Sequence, residues 1–559
     1  MVAMPVILAL SSLTAVTIAA DIVINTLAIA LHLLPEIPWE DGWKTAIMLS
    51  NGTGLTITNI FQQHNEHRVP LTHLIDLVDI WLFGGRNLFH FYVAVFATAM
   101  LAVTIGRLAT TPKRTSKSEK ILVYSLVFGI LFSQPQLEIF FWPFTIGNIL
   151  SNLFVALTFA ILAQAGQKKC DPYLLPGAMS TGLLAAFGLA SGLLVWPLGV
   201  MILIAVERRI SIRLLVWIIA ATLVFSWYFH DYAPPEHHAS PAITLREHFL
   251  DFIAFSLALL GSLLGAHGVA ISAAAGGMIS TLITSSVNRA ATSLRMLSRG
   301  YLALAAIMIF CCLSAAAAAG SRINFGLEHA LISRYSTISA LALASVIAFR
   351  VGSNPRNTPT GTLSKIATSI LFLVILTIIS MTPTRNMEWF EDSSARLKSN
   401  AIAIALHIDD IPMRSWSPTI QSDVTAAINL LEARHLSVFH DNTYSTGMRV
   451  SSRYRVVRSS RCVGHVDSIE QLPDERGAQR IIGWAWLKDS KRRPDRIALA
   501  DNNGRIVGWA SPGWTRIDVP GIITTDRRSG WLGYTRGNLP ASVLAFAANE
   551  GAGTACLIA

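Results

Sequence analysis

The stretch QHNEHR, residues 63–68, places two histidines, a carboxylate and an arginine within six residues of an otherwise apolar chain. His64, Glu66, His67 and Arg68 precede an amphipathic segment, and backbone N–H groups at the start of a helix suit a phosphate when an arginine is beside them. The same side chains could instead form a hydrogen-bonded cluster that ties a loop together. A zinc site is a third interpretation, but the spacing matches no strong zinc motif, and we predict no metal site.

An acidic pair follows the first apolar run of the chain. Glu40 and Asp41 lie within PEIPWEDGW, between Trp39 and Trp43. Carboxylates beside a bilayer are costly unless they are solvated or paired, so a pair at this place is a candidate for catalysis. Tryptophans at this depth are commonly interface anchors, and we assign Trp39 and Trp43 that role.

Four further residues have types that suit a charged or sugar ligand. Arg322 and Arg334 flank the segment INFGLEHALI, and Tyr335 follows directly. Either arginine could hold a phosphate or could extend toward a membrane interface, and Tyr335 could stack on a sugar or on a lipid head group. Glu138 precedes Phe-Phe-Trp, a pairing of carboxylate and aromatic faces that suits a sugar and is also common at interfaces.

The composition determines the kind of molecule that must position these residues. Of 559 residues, 52% are hydrophobic and 14% charged, and the mean hydropathy is +0.49. A soluble protein of this length needs far less apolar surface, so we predict an integral membrane protein. The formal net charge of +10 comes from short Lys/Arg clusters between apolar runs. Such clusters are typical of loops that set membrane orientation, and we predict no nucleic-acid partner.

The basic clusters orient the chain, because short loops rich in Lys and Arg stay in the cytoplasm. We predict about eleven crossings, a cytoplasmic N-terminus and an external C-terminus. The basic clusters occupy residues 113–120, 167–169, 207–213, 288–299 and 350–365. The apolar runs fall at 5–34, 88–110, 121–136, 144–166, 212–229, 300–319, 335–350 and 366–382, with two short helices in 173–207 that turn near VWPLG.

Two details of this topology are specific. Between 247 and 287 the charges allow an odd number of crossings, so the segment EHFLDFIAFSLALLGSLLG is interpreted as interfacial or re-entrant and the Gly/Ala-rich piece after it as the crossing. Asp21 lies inside the first apolar run, where it either lines a polar cavity or pairs with another helix.

The domains follow from these patterns. Residues 1–384 form the transmembrane domain with an outer loop at 35–87, residues 385–451 form a helical connector, and 452–559 form an external β-sandwich. In this last domain GWAW, GWAS and GWLGY recur, either because Trp fills the core or because exposed Trp stacks on sugars in a carbohydrate-binding module. Cys462 and Cys556 bracket the domain, and we predict that they form a disulfide in an oxidising periplasm.

The order of these features resembles the GT-C superfamily of membrane glycosyltransferases. The shared features are a first helix, an outer loop opening with the acidic pair Glu40-Asp41, a surface helix, many crossings and an external C-terminal domain. QHNEHR, LEIFFWPF (137–144), SRINFGLEHALISRY (321–335) and LSVF (436–439) also resemble elements of a functionally uncharacterised group of bacterial polytopic proteins in that neighbourhood.

The resemblance implies transfer of a sugar from a polyprenyl-phosphate donor to a glycan, lipid or protein acceptor, on the outer face of a bacterial inner membrane. Asp41 would act as the base, with Glu40 as its alternate, and Arg68, Arg322 and Arg334 would meet the donor phosphate. A divalent cation near Asp41 is compatible with this chemistry, but nothing in the sequence demands one. Two other functions stay open: a transporter or flippase for a lipid-linked glycan, and a non-catalytic envelope scaffold with a glycan-binding domain.

Overall fold

A computed structural model describes residues 3–50, 56–110, 115–165, 173–235, 241–292, 298–352, 359–410, 421–473, 477–519, 526–537 and 543–558. The predicted basic cluster 167–169, and parts of the clusters at 113–120, 288–299 and 350–365, lie outside these residues. The chain divides into two compact units. Unit 1 comprises Met1–His32, Ile57–Ile75 and His90–Asn386, and unit 2 comprises Leu33–Thr56, Asp76–Phe89 and Met387–Ala559.

Unit 1 is helical because its sequence consists of long apolar runs, whose backbone polar groups must be satisfied within the segment. Among the described residues, its helices of seven or more residues are α1 (Ala3–Leu33), α4 (Leu88–Thr110), α5 (Lys117–Leu131), α6 (Ile146–Leu162), α7 (Leu174–Gly188), α8 (Val195–Glu207), α9 (Ile212–Tyr228), α10 (Pro241–Glu247), α11 (Phe249–Leu260), α12 (Val269–Thr292), α13 (Arg299–Arg322), α14 (Ser336–Gly352) and α15 (Pro359–Met381). Helices α2 (Trp43–Ser50) and α3 (Pro70–Phe83) lie in the outer loop, and each unit holds part of that loop.

Seven helices among the described residues are long and apolar enough to cross a membrane, so the chain is a multi-pass membrane protein. These spans are Ile7–Leu33, Leu88–Thr110, Pro143–Leu162, Ala190–Glu207, Val269–Thr292, Arg299–Phe325 and Ser333–Gly352. Four further apolar helices are shorter than the roughly 20 residues that a crossing needs: Leu174–Gly188, Ile212–Tyr228, Phe249–Leu260 and Ile366–Met381. The figure of eleven crossings therefore stays a prediction.

Two segments of the predicted topology can be compared directly. The turn between the paired helices α7 and α8 lies at Leu189, where the backbone is extended, and not near VWPLG. Pro197 falls in the first turn of α8, where the missing N–H would have no helical partner, so it does not end the helix. In the segment 247–287, helix α11 has 12 residues and helix α12, which extends to Thr292, has 24. These lengths agree with the interpretation of the Gly/Ala-rich piece as the crossing.

Unit 2 combines helices from the outer loop, two connector helices and a β-sheet. Helices α16 (Met387–Ala405) and α17 (Gln421–Ala433) precede strands β3 (Arg455–Val457), β4 (Cys462–Gln471), β5 (Gln479–Leu487), β6 (Arg496–Ala500), β7 (Ile506–Trp514), β8 (Gly530–Thr535), β9 (Leu544–Asn549) and β10 (Thr554–Leu557). The connector and the β-domain thus belong to one unit, together with residues 33–56 and 76–89 of the outer loop.

The β-domain is one eight-stranded sheet in the order β3-β10-β9-β6-β7-β8-β5-β4, antiparallel except for the pair β10 and β3. The predicted β-sandwich, which needs two packed sheets, is wrong. A long twisted sheet curls, and here the concave side of a half-barrel buries the side chains that a second sheet would otherwise cover. Cys462 in β4 is disulfide-bonded to Cys556 in β10, so the bond joins strands that are not neighbours in the sheet.

The recurring GW motifs have a structural explanation in strand register. Strands β5 and β8 are antiparallel, and in their register Gly483 pairs with Trp531 and Trp484 pairs with Gly530. Each glycine of the two GW dipeptides therefore lies opposite the tryptophan of the other. A Cβ added at Gly483 would lie 2.3 Å from the Trp531 ring, which is why this position is glycine. Trp509 and Trp531 are fully buried and cannot stack on a sugar, so these two residues fill the core.

Candidate functional site

The hairpin formed by QHNEHR carries the first group of site residues. Strands β1 (Gln63–His64) and β2 (His67–Arg68) pair antiparallel, and Asn65 and Glu66 form the two-residue turn. Asn65 has a positive φ of 49°, a conformation that asparagine tolerates better than most residues. Helix α3, which follows the hairpin, begins at Pro70.

Glu66, at the tip of this hairpin, contacts its neighbour His67 and one residue from a distant part of unit 1, Arg322. Its carboxylate forms an ion pair with Arg322 at the end of α13, and the Nε2 atom of His67 lies 3.3 Å from it. Both partners of the ion pair are largely buried, with 15% and 16% of their side chains exposed. A desolvated pair of this kind is held more firmly than a surface pair.

His67 has a defined protonation pattern. Its Nδ1 atom accepts a hydrogen bond from the backbone N–H of Ala190 at 3.3 Å, so Nδ1 carries no proton. The proton of the neutral ring is then on Nε2, which faces the Glu66 carboxylate. Both ring nitrogens are occupied by protein contacts, which argues against His67 as a zinc ligand. Among the described residues no group of three or more His, Cys, Asp or Glu could hold a metal ion.

A second ion pair joins Glu138 and Arg334. One oxygen of this buried carboxylate accepts from the Arg334 guanidinium at 2.8 Å, and the other accepts from the Arg334 backbone N–H at 2.9 Å. The Arg334 guanidinium also lies over the Trp142 ring, 5.6 Å from its centroid. Glu138 therefore fixes both the main chain and the side chain of Arg334.

Tyr335 connects the two ion pairs. The Arg322 guanidinium lies 5.7 Å, and that of Arg334 5.6 Å, from the centroid of the Tyr335 ring. The ring of His329 meets the same tyrosine edge-on at 5.8 Å. The Tyr335 hydroxyl is buried and has no hydrogen-bond partner among the residues that the structure describes. We call Glu66, Arg322, Tyr335, Arg334 and Glu138 the Arg–Tyr cluster.

Six predicted site residues therefore form one line of contacts in unit 1. It runs from His67 through the Arg–Tyr cluster, although its members come from residues 66–67, 138, 322 and 334–335. The sequence pattern predicts Trp142 as part of a sugar-binding aromatic face or as an interface residue, and His329 is not among the predicted site residues. The position of His329 within the segment that contains Arg322 and Tyr335 was the available signal.

Arg68 and His64 lie on the same hairpin but have other partners. The Arg68 guanidinium donates to three backbone carbonyls, those of Tyr228 at 2.9 Å, Phe61 at 2.9 Å and His230 at 2.5 Å. These bonds tie the hairpin to the end of α9, so the geometry gives Arg68 a positioning role in place of the predicted phosphate contact. The His64 ring packs against Phe144 with centroids 4.7 Å apart.

The acidic pair belongs to unit 2. Glu40 and Asp41 form a single turn of 3₁₀ helix before α2, and Glu40 has a positive φ of 45°. Burial lowers the pKa of the nearby Lys44 ammonium, and the charge of Asp41 opposes that shift. Trp39 and Trp43 are 6% and 2% exposed and pack inside this unit, which corrects their predicted role as anchors in the lipid interface.

Comparison with known proteins finds no matching family model, no matching curated protein and no matching solved structure.

Proposed function

We propose that this protein is a membrane glycosyltransferase of the GT-C type, which moves a sugar from a polyprenyl-phosphate donor to a glycan, lipid or protein acceptor of the bacterial cell envelope. The observation that carries the proposal is the contact of Arg322 and Arg334 with one residue, Tyr335. In this proposal the reaction takes place at the outer face of the inner membrane, with unit 2 in the periplasm.

The Arg–Tyr cluster has the chemistry of a phosphate site. Each guanidinium has five N–H donors in a planar fork, and this fork suits a phosphate as well as it suits the carboxylates of Glu66 and Glu138. A phosphate between the arginines would accept charge-assisted hydrogen bonds from both, and the Tyr335 hydroxyl supplies a further donor. The two carboxylates hold the guanidiniums in place before the ligand arrives, which reduces the entropy lost on binding.

The base is proposed separately, on Asp41 with Glu40 as its alternate. A carboxylate takes the proton of the acceptor hydroxyl as the hydroxyl oxygen forms a bond to the anomeric carbon. The bond from that carbon to the phosphate oxygen breaks, and polyprenyl phosphate leaves with the bonding electron pair. Displacement at a single centre inverts the anomeric configuration. The charge of Asp41 acts on the neighbouring Lys44 ammonium, which places this cation close to the proposed base.

Binding of polyprenyl phosphate to the purified chain tests the phosphate site. We expect Arg322→Lys and Tyr335→Phe each to weaken binding about tenfold, because each loses directional hydrogen bonds. The matched control is Arg213→Lys, since Arg213 is paired with Glu207 at 3.1 Å, where α8 ends and α9 begins. Native mass spectrometry in detergent would measure binding, with the unphosphorylated polyprenol as reference. Equal binding of alcohol and phosphate, or no loss in either variant, would refute the site.

Transfer of a radiolabelled sugar from envelope donor lipids tests the base. Asp41→Asn keeps the size of the side chain and removes its basicity, so we expect a loss of transfer of about a hundredfold or more with unchanged donor binding. Normal transfer in both this variant and Glu40→Gln would contradict the assignment of the base and would favour a scaffold.

A further inference from the structure

Helix α1 presents an unusual face within the membrane. Asp21 lies at the middle of the 27-residue span Ile7–Leu33, and both Asp21 and Asn25 are exposed. The Asn25 side-chain amide donates to the Asp21 carboxylate at 2.9 Å, and among the described residues no lysine or arginine forms an ion pair with Asp21. A carboxylate at this depth is expensive in contact with lipid, so this face calls for a partner.

The rest of the face suits close packing by another helix. Thr14, Thr17, Asp21, Asn25 and Ala28 recur every three to four residues, so they lie along one side of α1, and all five are exposed. The hydroxyls of Thr14 and Thr17 donate to the backbone carbonyls one turn earlier, so these small side chains already have a hydrogen-bond acceptor within α1. Small and hydroxyl-bearing residues are typical of contacts between membrane helices.

An apolar groove lies on another side of α1. It has a volume of about 370 Å³ and lies between α1 and α5. Its walls are apolar and include Ala19, Ala20 and Ile24 on one side and Tyr124 and Phe128 on the other. None of the five residues of the polar face lines this groove, so the face and the groove are separate surfaces of α1.

We propose that this face of α1 is a docking site for a transmembrane helix of another protein that carries a lysine or arginine near its middle. Charge complementarity identifies the occupant, because a cation neutralises Asp21 inside the bilayer and Asn25 already orients the carboxylate. A second copy of this chain fits less well. Two copies share one membrane orientation, so their Asp21 carboxylates would approach each other and repel. This inference is independent of the proposed glycosyltransferase activity.

Thiol cross-linking in lipid vesicles tests the occupant. The full chain carries Thr17→Cys, one turn before Asp21 on the same face, and the probe is a peptide helix of about 24 Leu and Ala residues with one central lysine and one cysteine a turn away. We expect this peptide to cross-link, and about tenfold less cross-linking with a leucine in place of its lysine or with Asp21→Asn in the chain. Mass spectrometry identifies the linked residues.

Three outcomes would overturn the proposal. A disulfide between the Thr17→Cys positions of two full chains, formed only when Asp21 is present, would make a second copy the occupant. Equal linking of the lysine and leucine peptides would show that charge plays no part, and no linking to either would leave the face to lipid. The matched control is Ala15→Cys, at a position buried on the other side of α1, which should not react with any peptide.

Discussion

At the scale of single residues, the hydrogen-bond and ion-pair partners of Arg68, Arg322 and Arg334 determine which of them is a candidate for ligand binding. Arg322 and Arg334 each have one carboxylate partner and share an aromatic ring, whereas Arg68 is surrounded by backbone carbonyls. The sequence alone does not distinguish these three arginines. Their different partners leave Arg322 and Arg334 as the candidates for a ligand and make Arg68 a positioning residue.

The buried ion pair of Glu138 leads to a prediction about stability. Glu138→Gln removes the carboxylate charge that pairs with Arg334, in a site where only 24% of the arginine side chain is exposed. We expect a loss of about 2–3 kcal/mol and a melting temperature several degrees lower, since removing one partner of a buried pair is costly. Glu328→Gln, at a carboxylate that is 65% exposed, is the control and should cost at most about 1 kcal/mol. Thermal unfolding of the detergent-purified protein measures both, and equal shifts would contradict the argument.

Lys398 in unit 2 leads to a prediction about pH. Burial lowers its pKa from 10.5 to about 8, against the opposing charge of Glu36. Between these two values the unfolded chain binds the proton and the folded chain does not, so the free energy of unfolding rises with pH from this group. Relative to Lys398→Met, wild-type protein should gain about 2 kcal/mol between about pH 7.5 and about pH 9.5.

Denaturant unfolding at several pH values measures this difference. Lys488→Met is the control, because Lys488 is exposed and should leave the pH dependence of wild-type stability unchanged. If the stability difference between wild type and Lys398→Met falls or stays constant as pH rises, the lowered pKa of Lys398 is contradicted.

At the scale of elements, strand register and short turns place the residues that matter. The hairpin at residues 63–68 brings Glu66 to its tip, and the sheet of unit 2 aligns glycine opposite tryptophan. Its curl brings β4 and β10 close enough for the disulfide, with Cα atoms 6.2 Å apart. The elements themselves follow from local sequence, but which elements approach each other depends on the whole sheet.

The disulfide leads to a prediction at this scale. Cys462 and Cys556 are separated by 94 residues, and cross-linking a loop of this length stabilises the folded state by about 4–5 kcal/mol in the entropic view. Replacing both by serine should lower the stability of the β-domain by that order and leave the membrane helices intact. Hydrogen exchange of the full chain, compared between β-domain and helices, would show this. Uniform destabilisation of both units would contradict it.

At the scale of the whole molecule, unit 2 constrains the membrane topology. It is assembled from three separate segments, Leu33–Thr56, Asp76–Phe89 and Met387–Ala559. Because a bilayer is not expected to divide a compact unit, we predict that all three segments lie on one side and that the chain between residues 90 and 386 crosses an even number of times. The ten crossings predicted after the first apolar run satisfy this condition.

Cysteine labelling in intact cells tests this topology. Glu40→Cys and Ile517→Cys, both at exposed positions of unit 2, should react equally with a membrane-impermeant maleimide. Lys120→Cys, in the predicted cytoplasmic region at the start of α5, should react only after the cells are opened. Labelling of residue 40 without residue 517 would separate the outer loop from the C-terminal segment and contradict the unit.

The sequence by itself determined the membrane class, the extent of most apolar helices, the β-rich C-terminal region and the residue types of the candidate site. These properties depend on local composition and periodicity, because the length and spacing of apolar residues within one segment determine which of its faces is buried. Only the tertiary structure decided that Glu66 meets Arg322, that Arg68 is held by carbonyls and that the β-domain is one curled sheet. Contacts between residues 256 positions apart arise from the packing of many helices together, and no local pattern in the chain encodes them.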